Sequence, residues 1–126
     1  MKFLNHENVL ITDVPLHKNR LKSRGYNQSE LLAKELSQLL NLEYMPSCLT
    51  RKIDTKPQFK LDKKKRRENI LGAFVVNPKI KTSIKGKRII LVDDIATTGA
   101  TLRECAKILK QSGVEKVIGV TLAHEG

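Results

Sequence analysis

Arg88-Ile89-Ile90-Leu91-Val92-Asp93-Asp94-Ile95-Ala96-Thr97-Thr98-Gly99-Ala100-Thr101 is the stretch that decides the fold. Ile89 to Val92 form a short continuous apolar run, the pattern of a strand covered on both faces in a parallel sheet. Asp93 and Asp94 fall at its carboxyl end, and open α/β sheets bind their ligands outside that end. Two adjacent carboxylates there can accept hydrogen bonds from vicinal hydroxyls or hold a hydrated Mg2+. From Ala96 to Thr101 the residues are small and rich in hydroxyls, so the backbone can approach a ligand closely, and Gly99 tolerates a dihedral that other residues avoid. The N–H groups that open the following helix, aided by its dipole, suit a phosphate. Asp and Thr are also ordinary capping residues. The apolar strand, paired acids and small-residue turn in this order favour a ribose-phosphate site over a plain strand, turn and cap.

Outward from this stretch, strand and helix patterns alternate, which predicts an α/β domain with a parallel sheet. Asn8 to Leu16 reads as a first strand ended by Pro15, followed by a basic loop from His17 to Gly25. Asn27 caps a helix, with Glu30 placed as in a capping box. Leu32, Leu36, Leu39 and Leu40 of that helix are expected to face the sheet. Further strands are expected between Leu42 and Leu49, from Ile70 to Val76 and from Lys116 to Leu122. The helix after the acids places Leu102, Cys105, Ala106 and Leu109 on one face and stops at Ser112-Gly113. The tail His124-Glu125-Gly126 is expected to fray.

The 126 residues suit one domain, 1–126, without repeats or a low-complexity linker. No run of about 18 apolar residues could span a bilayer, and the polar opening from Met1 to Glu7 lacks a signal-peptide core, so the expected location is cytoplasmic. Cys48 and Cys105 lie far apart, with no zinc-ligand spacing around them, and read as small core residues. Only five aromatic residues and no Trp are present, which disfavours an aromatic platform for stacking bases. The net charge of +11 is concentrated: residues 51–70 carry nine basic side chains against three acids. Lys63-Lys64-Lys65-Arg66-Arg67 is its centre. Such a segment serves as a solvated loop, a lid over a polyphosphate or a nucleic-acid contact.

Three segments carry a resemblance. Pro15-Leu16-His17, Arg20 and Arg24-Gly25-Tyr26-Asn27-Gln28 form the first. Arg51, Thr55, Gln58, Leu61, Arg66 and Asn69 running into Gly72-Ala73-Phe74 form the second, and the acid pair with its loop is the third. In order and spacing, from about residue 14 to 122, they resemble the ComF competence-protein family of phosphoribosyltransferase-like domains. The resemblance implies a type I phosphoribosyltransferase-like fold, about five strands flanked by helices with a minimal hood, and a flexible lid at about 55–68.

It also implies a Mg2+-dependent protein that binds phosphoribosyl pyrophosphate (PRPP) and transfers its phosphoribosyl group to an acceptor, linked to DNA uptake and competence. Asp93, Asp94 and Arg66 would be catalytic, with Asp93 and Asp94 also meeting the metal, directly or through water. Ala96, Thr97, Thr98, Gly99, Ala100 and Thr101 would clasp the 5-phosphate, and His17, Arg20 and Arg24 would face the pyrophosphate. The alternative is a non-catalytic single-stranded-DNA-binding accessory with vestigial or regulatory PRPP binding. Besides PRPP, the expected partners are single-stranded DNA and the competence machinery, with a homodimer as the candidate assembly and no membrane span. Two departures stand out. The four-cysteine zinc module of longer members is absent from the sequence, and Thr97 stands where purine-salvage relatives carry an Asp that handles the base proton, which disfavours the hypoxanthine-guanine type.

Overall fold

A computed structural model describes residues 8–16, 25, 27–52, 72–96 and 99–124. In chain order its elements are β1 (Val9–Asp13), α1 (Gln28–Leu40), β2 (Glu43–Tyr44), β3 (Leu49–Arg51) and β4 (Phe74–Val76). A 3-10 turn (Pro78–Ile80) and the single-turn α2 (Lys81–Ile84) follow, then β5 (Arg88–Ala96), α3 (Ala100–Gln111) and β6 (Lys116–His124).

β5 lies inside a four-stranded parallel sheet of order β2-β1-β5-β6. Parallel neighbours need crossovers, and α1 and α3 supply them between β1 and β2 and between β5 and β6. Residues in register point to the same side of the sheet, so Ile11 beside Ile90 and Leu10 beside Ile89 sort the apolar side chains onto two faces. On one face Val9, Ile11, Ile90 and Val92 pack against Ala33 of α1. On the other, Leu10, Ile89 and Leu91 meet Cys105 and Leu109 of α3, Phe74 of β4 and Ile84 of α2. Cys48 and Cys105 are both free thiols buried in that second core, as their reading as core residues requires.

The expectation of about five strands resolves into four in the parallel sheet and two outside it. Residues 42–49 are not one strand: β2 ends at Tyr44, and Pro46 with Ser47, whose φ is +60°, turns the chain away. Leu49 therefore begins β3, which pairs antiparallel with β4 through Leu49 with Val76 and Arg51 with Phe74. Residues 53–71, which hold the expected lid, link these two strands and lie outside the described residues. The turn at Pro78 was not read from the sequence, although Asn77-Pro78 is a helix-start signal: the Asn77 side chain accepts from the Lys79 N–H at 3.0 Å.

Asn27 caps α1, its side chain accepting from the Ser29 N–H. Glu30 pairs with Lys34 at 3.0 Å. The stripe that approaches the sheet is Ser29, Ala33 and Ser37, flanked by Leu32, Leu36 and Leu40. Leu39 lies about 120° around the helix from Ala33, outside that stripe. It is 77% exposed, contrary to the sheet-facing expectation. His124 is likewise not frayed in its backbone, being paired with Ala96 at the end of β6. Among the described residues β6 is an outer strand of the sheet, and its Leu122 is 70% exposed on the α1 face, in a groove shared with Leu32, Leu36 and Leu39. Among the described residues no helix is long and apolar enough to cross a membrane.

This packing sets a contrast that urea unfolding can read. Ile89→Ala removes a fully buried side chain at the centre of the sheet, and should cost about 2–5 kcal/mol. Leu39→Ala should change stability by less than about 0.5 kcal/mol, as surface substitutions do. Equal losses in the two variants would contradict the assignment of α1's buried face.

Candidate functional site

The carboxyl ends of β1 and β5 lie side by side, with Asp13 in register with Val92 and Asp93 one residue further on. A strand buried on both faces brings the acid at its end to the sheet's upper rim largely removed from water. Asp93 is 9% exposed and Asp13 8%. Burial disfavours the ionised form of each, so both are held above the ordinary carboxylate range.

For Asp93 burial is the largest cause, followed by the hydrogen bond and the like charge of Asp94, and its pKa is pushed up to about 7. Two donors oppose this shift. The Asp94 N–H reaches Asp93 Oδ1 at 2.9 Å, and the Ser29 hydroxyl donates to the same oxygen at 3.2 Å. The Asp94 N–H also reaches Ser29 Oγ at 3.1 Å, so the serine accepts from one acid's backbone while donating to the other's carboxylate. On the other side, the Thr121 hydroxyl of β6 donates to the Asp94 carbonyl at 3.3 Å.

Asp13 is gripped from two sides. The Tyr44 phenol donates to Oδ1 at 2.6 Å and Asn27 Nδ2 donates to Oδ2 at 3.1 Å. Burial and then the Asp13 carboxylate raise the Tyr44 phenol well above its ordinary pKa, so it remains a donor. A pocket of about 240 Å³ opens beside this group, lined in part by Asp13, Asn27, Glu30, Tyr44, Thr50 and Arg51. The Arg51 guanidinium sits 5.2 Å from the centre of the Phe74 ring.

Beyond the acids, Gly99 holds φ +78°, the left-handed region that side chains avoid, and its carbonyl accepts the Arg103 N–H at 2.9 Å as the first bond of α3. A Cβ there would lie 2.8 Å from Nη1 of Arg103. The positive end of the α3 dipole thus opens at the same rim as the acid pair.

Of the residues singled out in the sequence, Asp93, Asp94, Gly99, Ala100 and Thr101 come together here, and Ala96 ends β5. His17, Arg20, Arg24, Arg66, Thr97 and Thr98 lie outside the described residues. Asp13, Ser29 and Tyr44 were not anticipated. Asp13 had a signal, an apolar run followed by an acid just as in β5, whereas Ser29 and Tyr44 meet the acids only through the fold. Among the described residues no three His, Cys, Asp or Glu side chains converge as a metal cage.

A family model described as a phosphoribosyl transferase domain matches residues 26–126. The chain is 39% identical over 107 residues to competence protein F of Haemophilus influenzae, covering 85% of this chain and 46% of that one. It is 35% identical over 107 residues to DNA utilization protein YhgH of Escherichia coli K12, covering 85% and 45%. It is 34% identical over 112 residues to competence protein ComFC of Bacillus subtilis, covering 85% and 40%. The chain thus spans less than half the length of these curated relatives. Among solved structures, the allosteric regulatory enzyme of purine biosynthesis aligns with a TM-score of 0.59 at 20% identity, covering 96% of this chain and 24% of that one. A hypoxanthine phosphoribosyltransferase from Staphylococcus aureus aligns with a TM-score of 0.58 at 13% identity, covering 98% and 57%. At these identities the likeness concerns the fold.

The buried acid gives the protein a pH signature. Asp93 keeps its proton up to about pH 7 when folded and releases it near 3.8 when unfolded, so the folded state binds more protons in between. Its contribution to stability is complete below the unfolded value and declines as pH rises through the folded one. Asp13, also raised, adds a decline of the same sign. Urea unfolding of wild type and Asp93→Asn, compared across this range, should show the decline reduced in the variant. Parallel profiles would mean that Asp93 is ionised as readily in the fold as outside it.

Proposed function

Because the chain belongs to the phosphoribosyl transferase domain family, we propose that it binds PRPP with Mg2+ and transfers the phosphoribosyl group to a nucleophilic acceptor, releasing pyrophosphate. The names of its relatives, which refer to competence and DNA utilization, support a role linked to DNA uptake, and a cytoplasmic location suits that role. The observation that carries the reading is the acid pair near the carboxyl end of β5, with Asp93 buried, joined by a left-handed Gly99 to the N-terminus of α3.

In this reading Asp93 and Asp94 accept hydrogen bonds from the ribose hydroxyls, and their negative charge supports the ring as it becomes positive. The bond from C1 to the pyrophosphate oxygen breaks with its electron pair leaving on oxygen, and the acceptor's nucleophile adds to C1. The first turn of α3, with the loop from Ala96 to Thr101, takes the 5-phosphate. His17, Arg20, Arg24 and Arg66 supply positive charge to the pyrophosphate. Asp93 and Asp94 would hold Mg2+ directly or through water, since Mg2+ keeps several waters and takes further oxygens from phosphate. When bound beside Asp93 and Asp94, Mg2+ would neutralise charge on the leaving pyrophosphate. Catalysis on this scheme is positioning and electrostatics, without a covalent intermediate on the protein.

The net +6 of residues 51–70 favours a second reading, a single-stranded-DNA-binding accessory of DNA uptake in which PRPP binding is vestigial or regulatory. Fluorescence anisotropy with labelled single-stranded DNA separates the two. DNA binding should fall steeply with salt, and the slope should flatten when Lys63, Lys64, Lys65, Arg66 and Arg67 are neutralised.

Isothermal titration of the folded protein with PRPP and Mg2+ should give saturable heat. Asp93→Asn and Asp94→Asn should each weaken binding by on the order of 1–3 kcal/mol with the fold retained, the loss expected for a charge-assisted hydrogen bond. Gly99→Val should weaken it through the strained dihedral. Absence of heat with wild type would overturn the PRPP reading, and unchanged affinity in both Asn variants would return the acids to a capping role.

A further inference from the structure

A continuous hydrogen-bonded path crosses the site from β2 to β5. Tyr44 donates to Asp13, and Asn27 Nδ2 donates to the other oxygen of Asp13. Asn27 Oδ1 accepts the Ser29 N–H at 3.0 Å, and Ser29 Oγ joins the Asp93 carboxylate to the Asp94 backbone. Helix capping accounts for only one of these bonds, that from the Ser29 N–H to Asn27. It does not require the Ser29 hydroxyl to reach an acid 64 residues away, nor the other end of the Asn27 amide to reach β1.

The residue types fit this second task closely. Position 27 needs an acceptor for the helix N–H and a donor for a buried carboxylate at once. Asp would cap the helix equally well but would press a second carboxylate against Asp13, and Ser or Thr lacks the second arm. Position 29 needs a group that donates to a carboxylate and accepts from an N–H through a single atom, which only a hydroxyl does. Both residues are buried, Ser29 almost completely, so water does not substitute for them.

We propose that Ser29 and Asn27 are positioning residues for the acid pair. The Ser29 hydroxyl fixes the orientation of the Asp93 carboxylate and the Asp94 backbone, and Asn27, anchored on Asp13 and Tyr44, fixes Ser29. The consequence for ligands rests on the PRPP reading: aligned acids select the ribose hydroxyls, so loss of the hydroxyl harms recognition of the sugar while sparing the metal-free recognition of pyrophosphate by the basic residues.

The test compares wild type, Ser29→Ala and Ser29→Thr, each checked for folding by circular dichroism. In calorimetry without Mg2+, where the acid pair no longer reaches pyrophosphate through a metal, Ser29→Ala should lose roughly tenfold in affinity for ribose 5-phosphate, keep its affinity for inorganic pyrophosphate, and recover most of the loss when the hydroxyl returns in Ser29→Thr. A crystal structure of Ser29→Ala should show the Asp93 carboxylate turned from its wild-type orientation. Equal losses for ribose 5-phosphate and pyrophosphate, or no loss for either, would overturn the proposal. So would an Asp93 carboxylate that keeps its orientation without the hydroxyl. If wild type takes up none of PRPP, ribose 5-phosphate and pyrophosphate, the PRPP reading fails by itself. The orientation of Asp93 in the Ser29→Ala crystal then decides the positioning role alone.

Discussion

A strand covered on both faces cannot carry charge along its length, because each ionised group inside would lose its water without recovering it from protein. β5 obeys this constraint, with its charged residues outside the apolar run, Arg88 before it and Asp93 and Asp94 after it. The apolar residues Ile89 to Val92 anchor both cores, so the position of the acids follows from the same packing that holds the sheet together. β1 repeats the arrangement on a smaller scale with Asp13. The result is a rim where two strands deliver carboxylates and the N-termini of α1 and α3 deliver backbone donors and positive dipole ends.

Placing acids at a half-dry rim costs stability, and the surrounding bonds offset part of that cost. Asp13 receives a phenol and an amide; Asp93 receives a hydroxyl and a backbone N–H. The offset is incomplete, as the upward shift of both acids shows. A site left in this condition favours any ligand that brings hydroxyl donors or positive charge, since these stabilise the ionised form that burial opposes.

What the sequence revealed and what it concealed divide along sequence separation. The strand, the acid pair and the glycine at 99 are contiguous, so their order could be read as chemistry, and the fold class followed from the alternation around them. The Asn27 cap was legible because capping is local. The partnership of Ser29 with Asp93 was not, because 64 residues separate them and a serine after a helix cap has no distinctive pattern. Tyr44 was concealed in the same way, 31 residues from Asp13. Within α1 one leucine of four misled: Leu32, Leu36 and Leu40 pack beside the buried small residues at 29, 33 and 37, while Leu39 lies outside that stripe. Between residues 42 and 49 propensity suggested one strand, and a single left-handed residue, Ser47, divided it.

β6 borders the site on one side and, among the described residues, pairs along only one of its own edges. Border strands open more readily than interior ones, since fewer ladder bonds need to break. Through Thr121 that strand holds the Asp94 carbonyl. An opening of the sheet margin would reach the acid pair from the β6 side, whereas on the α1 side the contact is a buried bond from a helix side chain. The two flanks of the site thus differ in kind, with a buried helix wall at Ser29 and a sheet-margin wall at Thr121.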